Sequence, residues 1–224
     1  MNDFSKLVLY EDNHLLVVCK PPGLLAQGDS SRRPCLLDLA REYLKTKYQK
    51  PGAVFLGLVH RLDRQAAGLV VLARTSKAAS RLSAQFRDRA IKKKYWAVIS
   101  GGLIPSSGSS EIYLVRNGSK SYPVNPETDQ ARQASLDYRT LQTGRRSSLV
   151  EIDLHTGRKH QIRAQLAYLG APIFGDTKYG SPVPPEADSI ALLAQYLEFV
   201  HPTQDRRLAF ETPPPPGWPW LPLK

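Results

Sequence analysis

The chain has 224 residues, 42% of them hydrophobic and 23% charged, which excludes a disordered chain and leaves room for one large core or at most two small domains. Its 31 basic and 20 acidic residues give a net charge of +11, which points to a polyanionic partner. Two cysteines, Cys19 and Cys35, exclude a disulfide-stapled scaffold or a zinc cluster and fit a reducing compartment.

Residues 7–10, "LVLY", and 15–19, "LLVVC", are short apolar runs separated by "EDNH", whose Asp12-Asn13 is turn chemistry, so a hairpin is expected. The prolines and Gly23 of "KPPGLLAQGD" end the second strand. Residues 36–46 place Leu36, Leu37, Ala40, Tyr43 and Leu44 at helical spacing. "GLVVLA", 68–73, is too apolar to be half-exposed and reads as a central strand covered on both faces. A helix follows in "TSKAASRLSAQFRDR", with Thr75 or Ser76 as its N-cap and Ala79, Leu82 and Phe86 along one face. "KKKYWAVISGG" is a strand with a basic entrance. Residues 101–133, rich in Gly, Ser, Pro and Asn, read as an irregular excursion with one strand in "EIYLV". "ASLDYRTLQ" and "SLVEIDL" form an antiparallel pair around "TGRR". "HQIRAQLAYLG" is a helix stopped by Gly170, "LEFVHP" and "RRLAFETP" are final strands, and the tail "PPPPGWPW" cannot be regular. No stretch reaches the roughly 18 apolar residues that span a bilayer, and the start "MNDFSKLVLYEDNH" resembles neither a secretory nor a transit segment. Strands in meanders with few helices argue for an α+β fold with a large, mostly antiparallel or mixed sheet and flanking helices.

Three constellations carry chemistry. "LGLVHRLDRQAAGLVVLART" places His60, Arg61, Asp63 and Arg64 between two apolar runs. A carboxylate there either caps a turn and pairs with Arg61 or Arg64, or takes part in a reaction. "HTGRKHQIR" gathers Arg158, Lys159, His160 and Arg163. A helix starting near Arg158 would set free amides beside these cations as an anion site, and an arginine at the edge of a buried stripe usually has a planar acidic partner. The bland alternative is a solvated basic face. In "AIKKKYWAV" adjacent strand residues face opposite ways, so one of Tyr95 and Trp96 can stack an unpaired base beside the lysines, unless both are packing residues.

"HRLDRQAAGLVVLA" resembles the signature of the RluA family of RNA pseudouridine synthases, usually His-Arg-Leu-Asp-x-x-Thr-Ser-Gly before an apolar strand. "KKKYWAVISG" is similar to the family's Lys-x-Tyr-x-Ala-x-Val-x-Gly block, and "LHTGRKHQIRAQLAYLGAPIFGDTKYG" to its third block. "KPPGLL" and "HP…LAFETPPP" fit as well, so five blocks in the family's order cover roughly residues 7–215. Ala66-Ala67 stands where the family usually has Thr-Ser, and Leu193 where a histidine is usual.

The resemblance implies the pseudouridine synthase catalytic fold and isomerisation of particular uridines in structured tRNA or rRNA. Asp63 would be the catalytic aspartate, acting as nucleophile or as stabiliser of a cationic sugar. Tyr95 would stack on the uracil, Arg163 would hold the Asp63 carboxylate by a salt bridge, and His60, Arg61, Arg158 and His160 would complete the substrate-binding set. The isomerisation gains and loses no atom, so no cofactor or metal is expected. Relatives often carry an N-terminal RNA-binding domain. Here the match begins near residue 7, so the expectation is a single catalytic domain over 1–224, without that extra domain, acting as a cytoplasmic monomer on RNA with no membrane partner. RNA contact would come from the "KKK" entrance, the 101–133 excursion and Arg145, Arg146, Arg206 and Arg207. The rival readings are a catalytically silent RNA-binding protein on the same fold and a glycoside hydrolase, which would need a second acid in a comparable motif.

Overall fold

The computed structural model describes residues 4–30, 32–103, 105–184, 188–215 and 218. Of the expected irregular tail "PPPPGWPW", residues 216, 217, 219 and 220 lie outside them, and the described residues 213–215 and 218 are in no helix or strand. The chain divides into two compact units, one of residues 1–91 with 196–213 and the other of residues 92–195 with 214–224.

In the first unit, β1 (Val8–Glu11) and β2 (Leu15–Lys20) form the expected hairpin. Its turn closes because the Asp12 carboxylate accepts the His14 and Leu15 backbone amides, at 2.7 and 2.8 Å, the short-range bonding that makes aspartate a turn residue. After α1 (Leu36–Lys47) and the short β3 (Gly57–Leu58) comes β4 (Ala67–Ala73). All seven residues of β4 are buried, so the reading of "GLVVLA" as a strand covered on both faces holds. β4 runs antiparallel to β2, from Leu15 opposite Ala73 to Lys20 opposite Gly68, and also pairs with β3. Thr75 caps α2 (Ser76–Arg87) by accepting the Ala78 amide at 3.2 Å, which satisfies one of the helix's orphan donors. Ala78 and Leu82 then pack with Leu15, Val17, Leu69 and Val71. Each large side chain buried this way contributes roughly 1.5–3 kcal/mol.

The second unit is an antiparallel meander built on β5 (Lys92–Ser100), β6 (Ser107–Asn117), β7 (Lys120–Val124), β8 (Arg132–Thr143) and β9 (Ser147–Leu154), in the order β5-β9-β8-β6-β7. The 101–133 excursion is therefore more regular than expected. The two-residue loop Gly118-Ser119 turns the chain, with Gly118 at φ +55° and Asn117 opposite Lys120, and joins two strands where one was read. α3 (Gln161–Tyr168) lays Ala164 against Leu114 and Ala134. Its Gln165 side chain donates to Ser110 and to the Ala134 carbonyl, so the buried amide is tied to the strands beneath it. Gly170, at φ +78°, ends α3 as expected.

Strand β10 (Leu192–Val200) starts five residues earlier than the expected strand at Leu197, because Leu192, Leu193 and Ala194 are buried. Its last residues pair with β11 (Arg207–Glu211) in the first unit. The molecule is thus α+β, and the strand pairs described above are antiparallel, as the meanders in the sequence imply.

Candidate active site

In the first unit, the loop between β3 and β4 carries His60, Arg61 and Asp63. Leu62 is buried and anchors it, Arg61 is exposed and Asp63 is half-buried. A fixed carboxylate with one side open is what a reacting group requires. The turn closes through its own backbone, with the Ala66 amide donating to the Asp63 carbonyl at 3.1 Å. Ala66 and Ala67 are buried, so packing and main chain hold this turn where the family usually has hydroxyls. The His60 ring stacks on Phe86, with centroids 4.6 Å apart, and its Nε2 accepts the Val71 amide at 2.9 Å. A ring nitrogen that accepts an amide proton carries none of its own, so the bond fixes which nitrogen is bare.

The loop's strongest brace escaped the sequence reading. Lys20, the last residue of β2, is wholly buried. Its ammonium donates to the carbonyls of Pro21 and Leu24, both at 2.9 Å, and of Arg64 at 3.1 Å. Three donors meet three acceptors, and the Pro-Pro-Gly loop is tied to the residue after Asp63. The Gly23 amide adds a fourth link by donating to the Arg64 carbonyl at 2.8 Å. Gly23 sits at φ +80°, in the left-handed region that a side chain would strain. Burial pulls the Lys20 pKa down to about 7, and the negative charge of Asp63 pulls the other way. The block "KPPGLL" held the signal, but a lysine at a strand end ordinarily reads as solvent-facing.

In the second unit, β5 places Tyr95 opposite Ile152 and Trp96 opposite Glu151. The helix expected over "HQIRAQLAYLG" is α3, which begins at Gln161, three residues after the Arg158 start that the anion site requires, and His160 precedes it in a left-handed conformation at φ +52°. The cause is the Gln161 side chain. Its Oε1 accepts the Arg158 amide at 3.0 Å and the Thr156 hydroxyl at 2.7 Å, while its Nε2 donates to the Ser135 carbonyl at 3.1 Å. The amide expected to face an anion is therefore engaged. Arg158 Nε donates to the Gln133 carbonyl at 2.9 Å, and His160 Nδ1 lies 3.0 Å from the Tyr179 hydroxyl.

Arg163 is buried, as its place beside the apolar stripe implies. Its planar acidic partner in this unit is Asp176, itself 1% exposed. The Nε–Oδ2 and Nη2–Oδ1 distances are 2.7 and 2.8 Å, a two-pronged pairing. The Tyr179 ring covers the guanidinium, with its centroid 5.1 Å from Cζ. Asp176 and Tyr179 lie in "GDTKYG", quoted within the third block but not singled out. The structure thus groups His60, Arg61 and Asp63 on one loop of the first unit. It places Tyr95, Arg158, His160 and Arg163 on β5 and at the start of α3 in the second. Among the described residues no His, Cys, Asp and Glu gather in a group able to hold a metal ion, and no helix is long and apolar enough to cross a membrane.

A profile of RNA pseudouridylate synthases matches residues 14–168, a segment that runs through both units and includes Asp63, Tyr95 and Arg163. The chain is 32% identical to ribosomal large subunit pseudouridine synthase D of Pseudomonas aeruginosa over 98% of its own length and 71% of that protein's. It is 34% identical to the D synthase of Nitrosomonas europaea over 93% of its length and 62% of the relative's. For the C synthase of Vibrio cholerae the figures are 31%, 94% and 66%. The chain thus spans about two thirds of the length of these relatives. Among solved structures, human RNA pseudouridylate synthase domain containing 4 superposes with a TM-score of 0.80 at 27% identity, covering 95% of this chain and 90% of the other.

Proposed function

The chain belongs to the RNA pseudouridylate synthase family, and from that premise we propose that it isomerises particular uridines of folded RNA, ribosomal RNA first, with Asp63 as its catalytic carboxylate. The observation that carries the reading is the bracing of the Asp63 loop: Lys20 and Gly23 both grip the Arg64 carbonyl, and Ala66 closes the turn on Asp63. Catalysis by one carboxylate requires that it be held where the sugar will come, and this loop is held by main-chain bonds independent of substrate.

The reaction breaks the bond from C1′ to N1, turns the base and joins C1′ to C5. The C5 proton leaves to solvent and N1 ends protonated, so atoms and electrons balance with no co-reactant. Asp63 either attacks the sugar or offsets its developing positive charge. Tyr95 stacks on the uracil. Arg163 is assigned to the Asp63 carboxylate as its cationic partner. Asp176 occupies one edge of its fork and supports that role by fixing the side chain. The target base must leave its stack to react, and the chain's positive charge grips the RNA backbone. The reading places the protein in the cytoplasm as a monomer, and the unpaired state of Cys19 and Cys35 agrees with a reducing compartment.

The test is tritium release from ribosomal and transfer RNA labelled at C5 of uridine. Wild type is expected to release tritium from ribosomal RNA, and Asp63→Asn to fall below about a thousandth of that rate while still binding the RNA. Release by Asp63→Asn at the wild-type rate overturns the catalytic assignment. No release from either RNA, with binding intact, leaves an RNA-binding protein without the activity.

A further inference from the structure

The second unit presents an aromatic and cationic surface that none of the proposed catalytic roles uses. In β7, Lys120 and Tyr122 share one face and Ser121 takes the other. Ser121 is buried. Its hydroxyl donates to the Lys159 carbonyl at 2.6 Å, and its amide donates to the Tyr179 hydroxyl at 2.8 Å. The strand is thus fastened from beneath. Above it Tyr122 stands 43% exposed, and the Lys120 ammonium lies 5.9 Å from the Tyr122 ring and 5.5 Å from the Tyr179 ring. At the hairpin's tip Arg116 Nε donates to the Gly118 carbonyl and the Lys178 ammonium to the Ser119 hydroxyl. Among the described residues neither Arg116 nor Lys120 pairs with a carboxylate. Glu111 is the one acid between 107 and 124, and the Gln133 amide donates to it at 2.6 Å, away from the tip.

We infer that this hairpin is an RNA-docking surface, on which Tyr122 stacks an unpaired base and Lys120 holds an adjoining phosphate. The inference rests on the reading that the chain acts on RNA. Single-stranded RNA offers what the surface lacks: negative charge and flat, apolar π-faces. A tyrosine fixed on a strand stacks with little further loss of freedom, and a base held there lies in an unpaired loop because paired bases keep their faces covered. A protein strand is the poorer occupant. β7 ends the strand order of this unit, but Pro123 lacks the amide a neighbouring strand would need.

The experiment measures the affinity of a fluorescein-labelled stem-loop RNA with an all-uridine loop, and of the matching full duplex, at several salt concentrations. Tyr122→Ala is expected to weaken stem-loop binding about tenfold and leave duplex binding unchanged, while Tyr122→Phe restores the wild-type value. Lys120→Ala should weaken both and reduce the slope of log affinity against log salt by about 0.7–0.9, the share of one phosphate contact. In turnover both alanine variants should raise KM and leave kcat unchanged. Unchanged stem-loop affinity in both variants, or an equal loss on duplex for Tyr122→Ala, overturns the inference. The two readings fail separately. These affinity losses in a protein that releases no tritium leave docking standing without catalysis. Asp63-dependent release with unchanged affinities leaves catalysis standing without this docking surface.

Discussion

Lys20 in the first unit and Arg163 in the second are the cations that the described residues bury completely, and each unit satisfies its cation differently. Lys20 meets three backbone carbonyls, which are dipoles without formal charge. Arg163 meets a carboxylate through two parallel bonds. Lysine loses its charge readily when desolvated, whereas a guanidinium keeps it. Lys20 is accordingly a brace whose charge is conditional, drawn down to about 7 by burial and supported by Asp63. Arg163 is a permanent charge locked in direction by Asp176. One cation organises main chain; the other supplies an oriented field.

That comparison breaks most visibly at Asp176. Asp176→Asn keeps the shape and removes the carboxylate charge that the buried guanidinium meets through two bonds. The expected cost is about 3–5 kcal/mol in urea-induced unfolding. A loss under about 1 kcal/mol, the scale of an exposed pair, means the charge is balanced elsewhere. Replacing both partners with apolar residues, Arg163→Met with Asp176→Leu, should recover much of the stability and none of the activity.

Lys20→Met comes next. It orphans carbonyls at the Asp63 loop and should cost about 2 kcal/mol, with turnover falling because the loop loosens. Its sharper readout is pH. A lysine titrating near 7 in the fold and near its ordinary value when unfolded binds fewer protons in the fold between those two pH values. Stability therefore rises with pH across that window, and the penalty for charging Lys20 is fully present below pH 7. The stability difference between wild type and Lys20→Met should grow from about pH 7 to about pH 10. A difference independent of pH means Lys20 is charged throughout, and the contrast with Arg163 disappears.

The two cations were unequally legible in the sequence. Arg163 could be marked because α3 is periodic and a cation beside its apolar stripe is conspicuous. Its partner Asp176 could not, since their meeting depends on the chain's return through a 3-10 turn at Thr177–Tyr179. Lys20 stood in the quoted block "KPPGLL" but could not be marked as a brace, because only tertiary packing buries it. β4 and the Thr75 cap were readable because their causes are local: a run apolar on both faces, and a hydroxyl three residues from an orphan amide. β6 and β7 were half-missed because serine, glycine and proline dominate the segment, although the two-residue loop Gly118-Ser119 was a usable hairpin signal. The loop around Asp63 could be located from its charged knot between apolar runs. Its rigidity could not, because it comes from carbonyls, and every residue has one.

Asp12 extends the comparison to an anion, with the smallest expected effect. It accepts from two backbone amides, from the Tyr10 hydroxyl at 2.7 Å and from the buried His201 ring at 2.8 Å, so it joins the main-chain bracing of Lys20 to the side-chain pairing of Arg163. Burial pushes its carboxyl upward, but these donors outweigh it and hold the group at about 2. A depressed carboxyl contributes stability that is complete above its ordinary pKa near 4 and fades as pH falls toward 2. Asp12→Asn should therefore be less stable than wild type at neutral pH by about 1 kcal/mol, and the two unfolding curves should converge as the pH drops through that window. A gap that persists at pH 2 assigns the turn's stability to hydrogen-bond shape alone. Closure of the gap assigns it to charge, and the β1–β2 turn is then held by the same electrostatic principle as Arg163, with its sign reversed.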